Sequence, residues 1–177
     1  MSTTPPRMLA DIRRIVTTHD ASGKSTIQSD TEVATKDTGM LGLRAGRIWV
    51  TEDSIPTKDN NKIEDGGERV ISERSNFDIV PPHGTNIQTV ELAPGGSIPM
   101  HRTSSLDYNI LVSGKLVLVT EDGQEKHIHT AGDTVIQKGT LHGWKNPSSD
   151  QTVRWIVVAM AATPAVVNGV TYVPEFR

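Results

Sequence analysis

Short segments rich in valine, isoleucine and threonine recur along this chain, and glycine, proline, asparagine or aspartate bounds each of them. The first group favours extended strands and the second favours turns, so the alternation predicts an all-β fold. Asp122-Gly123, between two such segments, is the strongest hairpin signal. Only residues 8–14 have any claim to form a short helix. Many short strands with frequent turns predict a sandwich or barrel.

The predicted strands are separated by one long polar stretch, residues 52–76, which has few apolar side chains and is interpreted as a loop. Loops of this length are uncommon in compact domains and are often functional, so this one can act as a lid. The first two strands are expected to form a hairpin. The predicted strands cover residues 14–18, 25–28, 46–51, 86–92, 107–112, 115–120, 126–130, 134–137 and 152–158.

Composition limits the function classes. A chain of 177 residues is long enough for one domain with a real core. A formal net charge of −3 argues against nucleic-acid partners and polybasic membrane binding. The chain has no cysteine, which excludes disulfides and thiolate catalysis. It shows neither a secretory signal nor an apolar run of the ~20 residues that cross a bilayer, so we expect a cytoplasmic protein.

Two histidines and a carboxylate fall on extended segments in positions that can converge. Side chains alternate along a strand, so His101 and Thr103 share one face, and Asp107 and Asn109 share a face of the next segment. His142 shares a face with Trp144 if that segment is extended. If these faces point into one barrel, His101, Asp107 and His142 can hold iron, manganese, nickel or zinc, with positions left open for a substrate.

The spacing of these residues resembles the paired motif of the cupin superfamily. The first motif of that family matches Gly95, His101, Thr103, Asp107 and Gly114. The second motif matches Gly132, Gln137, Gly139, His142 and Asn146. The resemblance implies a double-stranded antiparallel β-helix of the jelly-roll type, with its site in the barrel mouth.

The resemblance also implies the organisation of the chain. Residues 85–163 would form the barrel core, residues 1–84 would add N-terminal strands and the long loop, and residues 164–177 would form a C-terminal tail, all within one domain. Small cupins of this single-barrel type are commonly dimeric, so we expect a homodimer that acts on a small molecule. An open barrel edge is compatible with such pairing.

Three positions depart from the family pattern. Thr103 stands where the family has its second histidine, Asp107 is shorter than the family glutamate, and Gln137 replaces a turn proline. Losing one imidazole removes a strong ligand, so an acid–base role for His101, Asp107 and His142 without metal is favoured over a bound transition metal. A histidine beside an aspartate can act as an oriented general acid or base.

Several other side chains could contact a substrate but also fit an ordinary packing or surface role. Thr103, Asn109, Trp144 and Trp49 are predicted to contact a substrate, although Trp144 can equally form a wall of the core and packing is favoured for Trp49. His127 and His129 alternate with an isoleucine and are interpreted as the solvent face of a strand.

Four functions agree with these residues. The first is a lyase or isomerase that carries out dehydration, decarboxylation or proton transfer next to a carbonyl. Its substrate would be a hydroxylated or carbonyl compound of secondary or aromatic metabolism. The second is a metal-dependent dioxygenase or decarboxylase that uses the same residues as ligands. The third is a non-catalytic small-molecule-binding protein, and the fourth is a storage protein, a role that usually requires two barrels. Fold alone decides among none of these.

Overall fold

A computed structural model describes Leu9 and residues 11–19, 25–52, 54–71 and 76–177. Within these residues the chain is built from strands, with 3-10 turns at Asp59–Asn61 and Asn76–Asp78. The strands are β1 (Ile12–His19), β2 (Ser25–Val33), β3 (Lys36–Asp37), β4 (Leu43–Thr51), β5 (Thr85–Leu92), β6 (Ser97–Arg102), β7 (Ser105–Ser113), β8 (Leu116–Thr120), β9 (Glu125–Ile128), β10 (Thr134–Lys138), β11 (His142–Lys145), β12 (Val153–Ala161), β13 (Ala165–Val167), β14 (Val170–Tyr172) and β15 (Glu175–Phe176).

Two antiparallel sheets form the body of the molecule. The larger sheet has the strand order β10-β7-β12-β5-β4-β3, and the smaller has the order β15-β6-β11-β8-β9. Consecutive strands often lie in different sheets, as β5, β6 and β7 do, which is the connectivity of a jelly roll. The predicted all-β, jelly-roll architecture is therefore confirmed.

The core lies between the two sheets at one end of the sandwich. Leu92, Leu111 and Trp155 come from the larger sheet, while Leu116 and Trp144 come from the smaller. All five are buried, and the two indole rings lie 6.2 Å apart between centroids. The same two tryptophans also line a cavity at the other end, so they separate the packed core from the open half of the sandwich.

The N-terminal strands agree with the sequence, apart from the proposed helix. β1 and β2 pair as the predicted hairpin. The helix predicted over residues 8–14 is wrong where the structure describes it, because Ile12–His19 is strand; Met8 and Ala10 lie outside the described residues. The hydrogen bonds that pair β1 with β2 outweigh the weak helix propensity of this segment. Arg14 ties this hairpin to β4 by donating to the Ile48 carbonyl at 3.0 Å.

The C-terminal residues contain strands that the sequence did not reveal. β13 and β14 form a hairpin, and β15 joins the smaller sheet beside β6. The backbone N–H of Arg177 donates to the Met100 carbonyl at 2.8 Å, which extends that pairing. These strands span only two or three residues each, too few to produce a readable alternation. Among the described residues, no helix is long and apolar enough to span a membrane.

Candidate active site

The two motif histidines form a direct cross-strand pair. His101 on β6 lies opposite His142, the first residue of β11. Their ring centroids are 4.3 Å apart, with the ring planes tilted by 51°. Both rings line the cavity, so the structure brings together the two histidines that the motif spacing selected.

A β-bulge in β6 allows this pairing. Trp144 pairs with Ile98 and His142 pairs with His101, so two residues of β6 oppose the single Gly143 of β11. One of the two is Pro99, which suits a bulge because it has no N–H to donate to the ladder. The bulge turns both Ile98 and His101 toward the cavity, although they lie three positions apart.

Hydrogen bonds to the backbone fix the tautomer of each imidazole. The Nδ1 of His101 lies 2.9 Å from the Pro99 carbonyl oxygen, and the Nδ1 of His142 lies 2.9 Å from that of Thr140. A carbonyl oxygen only accepts hydrogen bonds, so both Nδ1 atoms carry the proton and both Nε2 atoms carry a lone pair. Each ring therefore offers its basic nitrogen to whatever occupies the cavity.

Both imidazoles are neutral around pH 7. Burial, together with the smaller effect of the neighbouring His101, lowers the pKa of His142 to about 4, against the opposing effect of the hydrogen bond to the Thr140 carbonyl. Burial also lowers the pKa of His101, while its bond to Pro99 acts in the opposite direction. Two imidazoles this close cannot both carry a proton without mutual repulsion in a poorly hydrated site.

Asp107 approaches the cavity from the other sheet. It lies on β7 and is 7% exposed, and its Oδ1 has no hydrogen-bond partner within the described part of the chain. Burial raises the pKa of this carboxyl to about 6, against a hydrogen bond from Ser105 that lowers it. The pKa of Asp107 therefore lies close to neutral pH and above the pKa of His142. Asn109 follows on the same face of β7 and also lines the cavity.

The cavity has a volume of about 490 Å³, within the usual range of ~300–1,000 Å³ for small-molecule pockets. Its polar side chains include those of His101, Thr103, Asp107 and His142, and most of its wall is apolar. Trp144 and Trp155 form the inner wall, and the buried Nε1 of Trp155 has no partner in the described residues. Further apolar lining comes from Met40, Leu43, Ala45, Ile79, Val90, Ile98, Val157 and Ala159.

Some predicted site residues lie elsewhere or have other partners. Trp49 does not line the cavity; its Nε1 donates to Asp59 at 2.9 Å, and the Arg69 guanidinium lies over its ring at 5.6 Å. Thr103 does line it, but its hydroxyl is 2.7 Å from that of Ser105. The described residues of the 52–71 segment contribute no side chain to the lining.

Two aromatic residues at the cavity mouth were not predicted from the sequence. Phe176 on β15 lies nearly parallel to the His101 ring, at 6.0 Å and 28°. Phe77 meets Phe176 edge-on, also at 6.0 Å. These are the only two phenylalanines in the chain. A pattern search over strands could not find them, because Phe176 is on a two-residue strand and Phe77 is in a turn.

The turn that carries Phe77 is strained. Asn76, Phe77 and Asp78 all have φ between 54° and 59°, the left-handed region that non-glycine residues avoid. The Asn76 side chain anchors the turn by accepting the Ser104 N–H at 2.7 Å. Strain of this kind persists only where surrounding contacts hold it, and it concentrates at functional sites.

Comparisons with known proteins agree with this geometry. A family model described as a cupin domain matches residues 88–159. The chain is 30% identical to phomopsin biosynthesis cluster protein C' of Diaporthe leptostromiformis, over 88% of this chain and 82% of that protein. The chain belongs to the cupin superfamily. It is also 27% identical to the cupin-domain-containing oxidoreductase virC of Hypocrea virens, over 97% of this cupin and 87% of that protein.

A solved structure agrees with the fold of this cupin. The cupin domain of Cnp3 from Schizosaccharomyces pombe superposes with a TM-score of 0.51. The match covers 86% of this cupin and 89% of that domain, at 11% sequence identity, which supports the fold alone.

Members of the cupin superfamily often bind a metal ion in the cavity that carries the motif histidines. Whether this chain can do so depends on the ligand atoms that its side chains supply there. His101 and His142 supply two imidazole nitrogens from the smaller sheet, while Thr103 is bonded to Ser105 and Asp107 lies on the larger sheet. Among the described residues, no group of three or more histidine, cysteine, aspartate or glutamate side chains is arranged to hold a metal ion. As arranged here, the site of this cupin does not fit a three-ligand metal centre.

Asn146, the last residue of the second motif, has a structural role. Asn146 is 2% exposed, and its amide donates to the carbonyls of Leu92, Ala93 and Gln151 at 2.8 to 3.0 Å. It therefore joins the loops at the packed end of this cupin and does not reach the cavity.

His127 and His129 are exposed, as predicted.

Proposed function

We propose that this cupin is an enzyme of secondary metabolism that moves a proton next to a carbonyl group, as an isomerase or a dehydrating lyase. One observation carries the proposal: a buried carboxylate with a raised pKa faces a cavity that also holds two neutral imidazoles. The names of the relatives, which place them in biosynthesis clusters or call them oxidoreductases, support the metabolic setting.

Asp107 is the base in this proposal. An efficient general base has a pKa near the working pH, and the value of about 6 for Asp107 meets this condition better than the value of about 4 for His142. Above pH 6 the carboxylate is ionised and can accept a proton from the carbon next to a carbonyl. The resulting carboxylic acid is stable in its apolar surroundings and can return the proton to another carbon or to a leaving hydroxyl.

The two imidazoles orient the substrate. Each presents an Nε2 lone pair, so together they can accept hydrogen bonds from substrate hydroxyl groups. Asn109 offers an amide that can donate to the carbonyl oxygen, where negative charge develops when the proton leaves. His101 and His142 thereby set which carbon faces Asp107.

A metabolite assay tests the proposal and identifies the substrate in the same experiment. The gene is deleted in the organism that encodes it, and purified protein is added to the extract of the deletion strain. We expect one accumulated compound to be converted into a product of the same mass or lighter by one water. The Asp107→Asn variant should not convert it, while the control Asp122→Asn, altered in an exposed turn, should.

The second candidate is an oxidoreductase, and the names of several relatives favour it. In that reaction the substrate would lose two hydrogens or gain oxygen, and dioxygen or an oxidised cofactor of the extract would accept the electrons. The same extract assay separates the two candidates, because the mass of the product differs. Metal analysis of the purified protein adds an independent readout: less than about a tenth of a metal ion per chain in an active preparation would contradict a metal-dependent oxidation.

A further inference from the structure

Three of the polar side chains that line the cavity, His101, His142 and Asp107, present hydrogen-bond acceptors to it. His101 and His142 both donate their ring N–H to a backbone carbonyl, which leaves the Nε2 lone pairs available to a ligand. The Oδ1 of Asp107 is buried without a partner in the described part of the chain. An unpaired buried acceptor is costly, so the natural complement of this group is a ligand that donates hydrogen bonds.

The cavity lining contains no lysine or arginine among the described residues. Arg102 follows His101 directly, but it points to the other face of β6, where it lies 2.5 Å from Glu175 and donates to the Val173 carbonyl at 3.1 Å. A carboxylate or phosphate ligand would therefore bring its charge next to Asp107 with no cation to offset it. Desolvated like charges repel strongly, so an anionic ligand is disfavoured.

The outer part of the cavity favours a flat, apolar ligand body. Phe176 and Phe77 face each other at the mouth, and Phe176 also lies against the His101 ring. Pairing of β15 with β6 holds Phe176 in this position. Aromatic side chains bind other unsaturated rings through offset or edge contacts, beyond the area that they bury.

From these three features we infer that the cavity takes an uncharged ligand with at least one hydroxyl donor on an unsaturated, largely apolar body. The inference rests on the same cavity as the proposed function and names the class of its substrate. It removes carboxylic acids from that class, and with them the decarboxylation that the sequence left open.

Three bicyclic probes of similar size test the inference by isothermal titration calorimetry at pH 7.5. They are 2-naphthol, 2-methoxynaphthalene, which lacks the donor, and 2-naphthoate, which is anionic. We expect 2-naphthol to bind at least tenfold more tightly than either of the others. Equal binding of the ether would refute the donor requirement, and equal or tighter binding of the naphthoate would refute the charge selection. If none of the probes binds, the inferred ligand body is wrong.

Two variants assign the selectivity to residues. Asp107→Asn should strengthen 2-naphthoate binding severalfold, while the exposed control Asp122→Asn should leave it unchanged. Phe176→Leu should weaken 2-naphthol severalfold but leave its saturated counterpart, 2-decalol, within twofold. Failure of either shift would overturn the role given to that side chain.

The binding measurements do not depend on turnover. If the probes bind in the expected order but the extract assay shows no conversion, the proposed function fails and the ligand class stands. If conversion occurs on a carboxylic acid substrate, the ligand class fails and the enzymatic role stands.

Discussion

Replacing Asp107 by asparagine should stabilise this protein at alkaline pH. The folded protein raises the pKa of this carboxyl from 3.8 to about 6 because the group is buried. A difference of roughly two pH units corresponds to ~3 kcal/mol, at ~1.4 kcal/mol per unit. This is the cost of keeping the ionised group folded at pH 8, and the uncharged amide avoids it.

The sign of the effect follows from proton binding. Between pH 3.8 and 6 the folded state holds a proton on Asp107 that the unfolded state has lost, so stability falls as the pH rises through this window. Above pH 6 the loss is complete, and near pH 4 almost none of it is present. The advantage of Asp107→Asn over the natural protein should therefore be largest at pH 8 and nearly absent at pH 4.

Urea denaturation followed by tryptophan fluorescence measures this difference. Unfolding curves of the natural protein and of Asp107→Asn are compared at pH 4, 6 and 8. Asp122→Asn is the matched control: hydrogen bonds from Thr120 and Gln124 lower the pKa of Asp122, so its loss should not stabilise the protein at pH 8. A gain for Asp107→Asn that is the same at pH 4 and pH 8, or a loss at both, would refute the reasoning.

Three further predictions concern other parts of the molecule. Arg154→Ala should lower the free energy of unfolding by ~3–5 kcal/mol in urea denaturation, because it leaves the buried Glu91 carboxylate without its guanidinium partner. A loss no larger than that caused by substitutions at exposed positions would contradict this. Gly114→Ala should destabilise by more than ~1 kcal/mol, since φ is +85° and the added Cβ would lie 2.8 Å from the Val153 Cα; an unchanged melting curve would show that the turn adjusts freely. Thr103→His should tighten Ni²⁺ or Zn²⁺ binding at least tenfold by adding a third nitrogen donor, and calorimetry showing equal affinity in both proteins would count against the donor-number argument.

Much of the fold was predictable because its signals are local. β5, β7, β8 and β12 each carry a run of β-branched and aliphatic residues that ends at a turn residue. The spacing of the paired motif also placed His101 and His142 together, because both lie where neighbouring strands of one sheet meet. These features depend on periodicity and on fixed offsets along the chain, which a sequence displays directly.

The rest of the site depends on contacts between distant segments. Phe176 reaches His101 only because β15 pairs with β6, and that pairing involves two residues of each strand. The backbone carbonyls that fix the tautomers of His101 and His142 carry no side-chain signal. Asp107 lines the same cavity as the two histidines, but its place on the opposite sheet depends on the sandwich topology. The homodimer stays a prediction.

The bulge in β6 also decides which charge the cavity receives. In an unbroken ladder that continued from Ile98, alternate side chains would face inward, so Arg102 would enter the cavity and His101 would turn outward. One extra residue opposite Gly143 reverses that outcome. The same six residues of β6 could thus line either a cation-bearing pocket for anions or the pocket observed, whose described lining has no lysine or arginine, and a single step of backbone register separates these two chemistries.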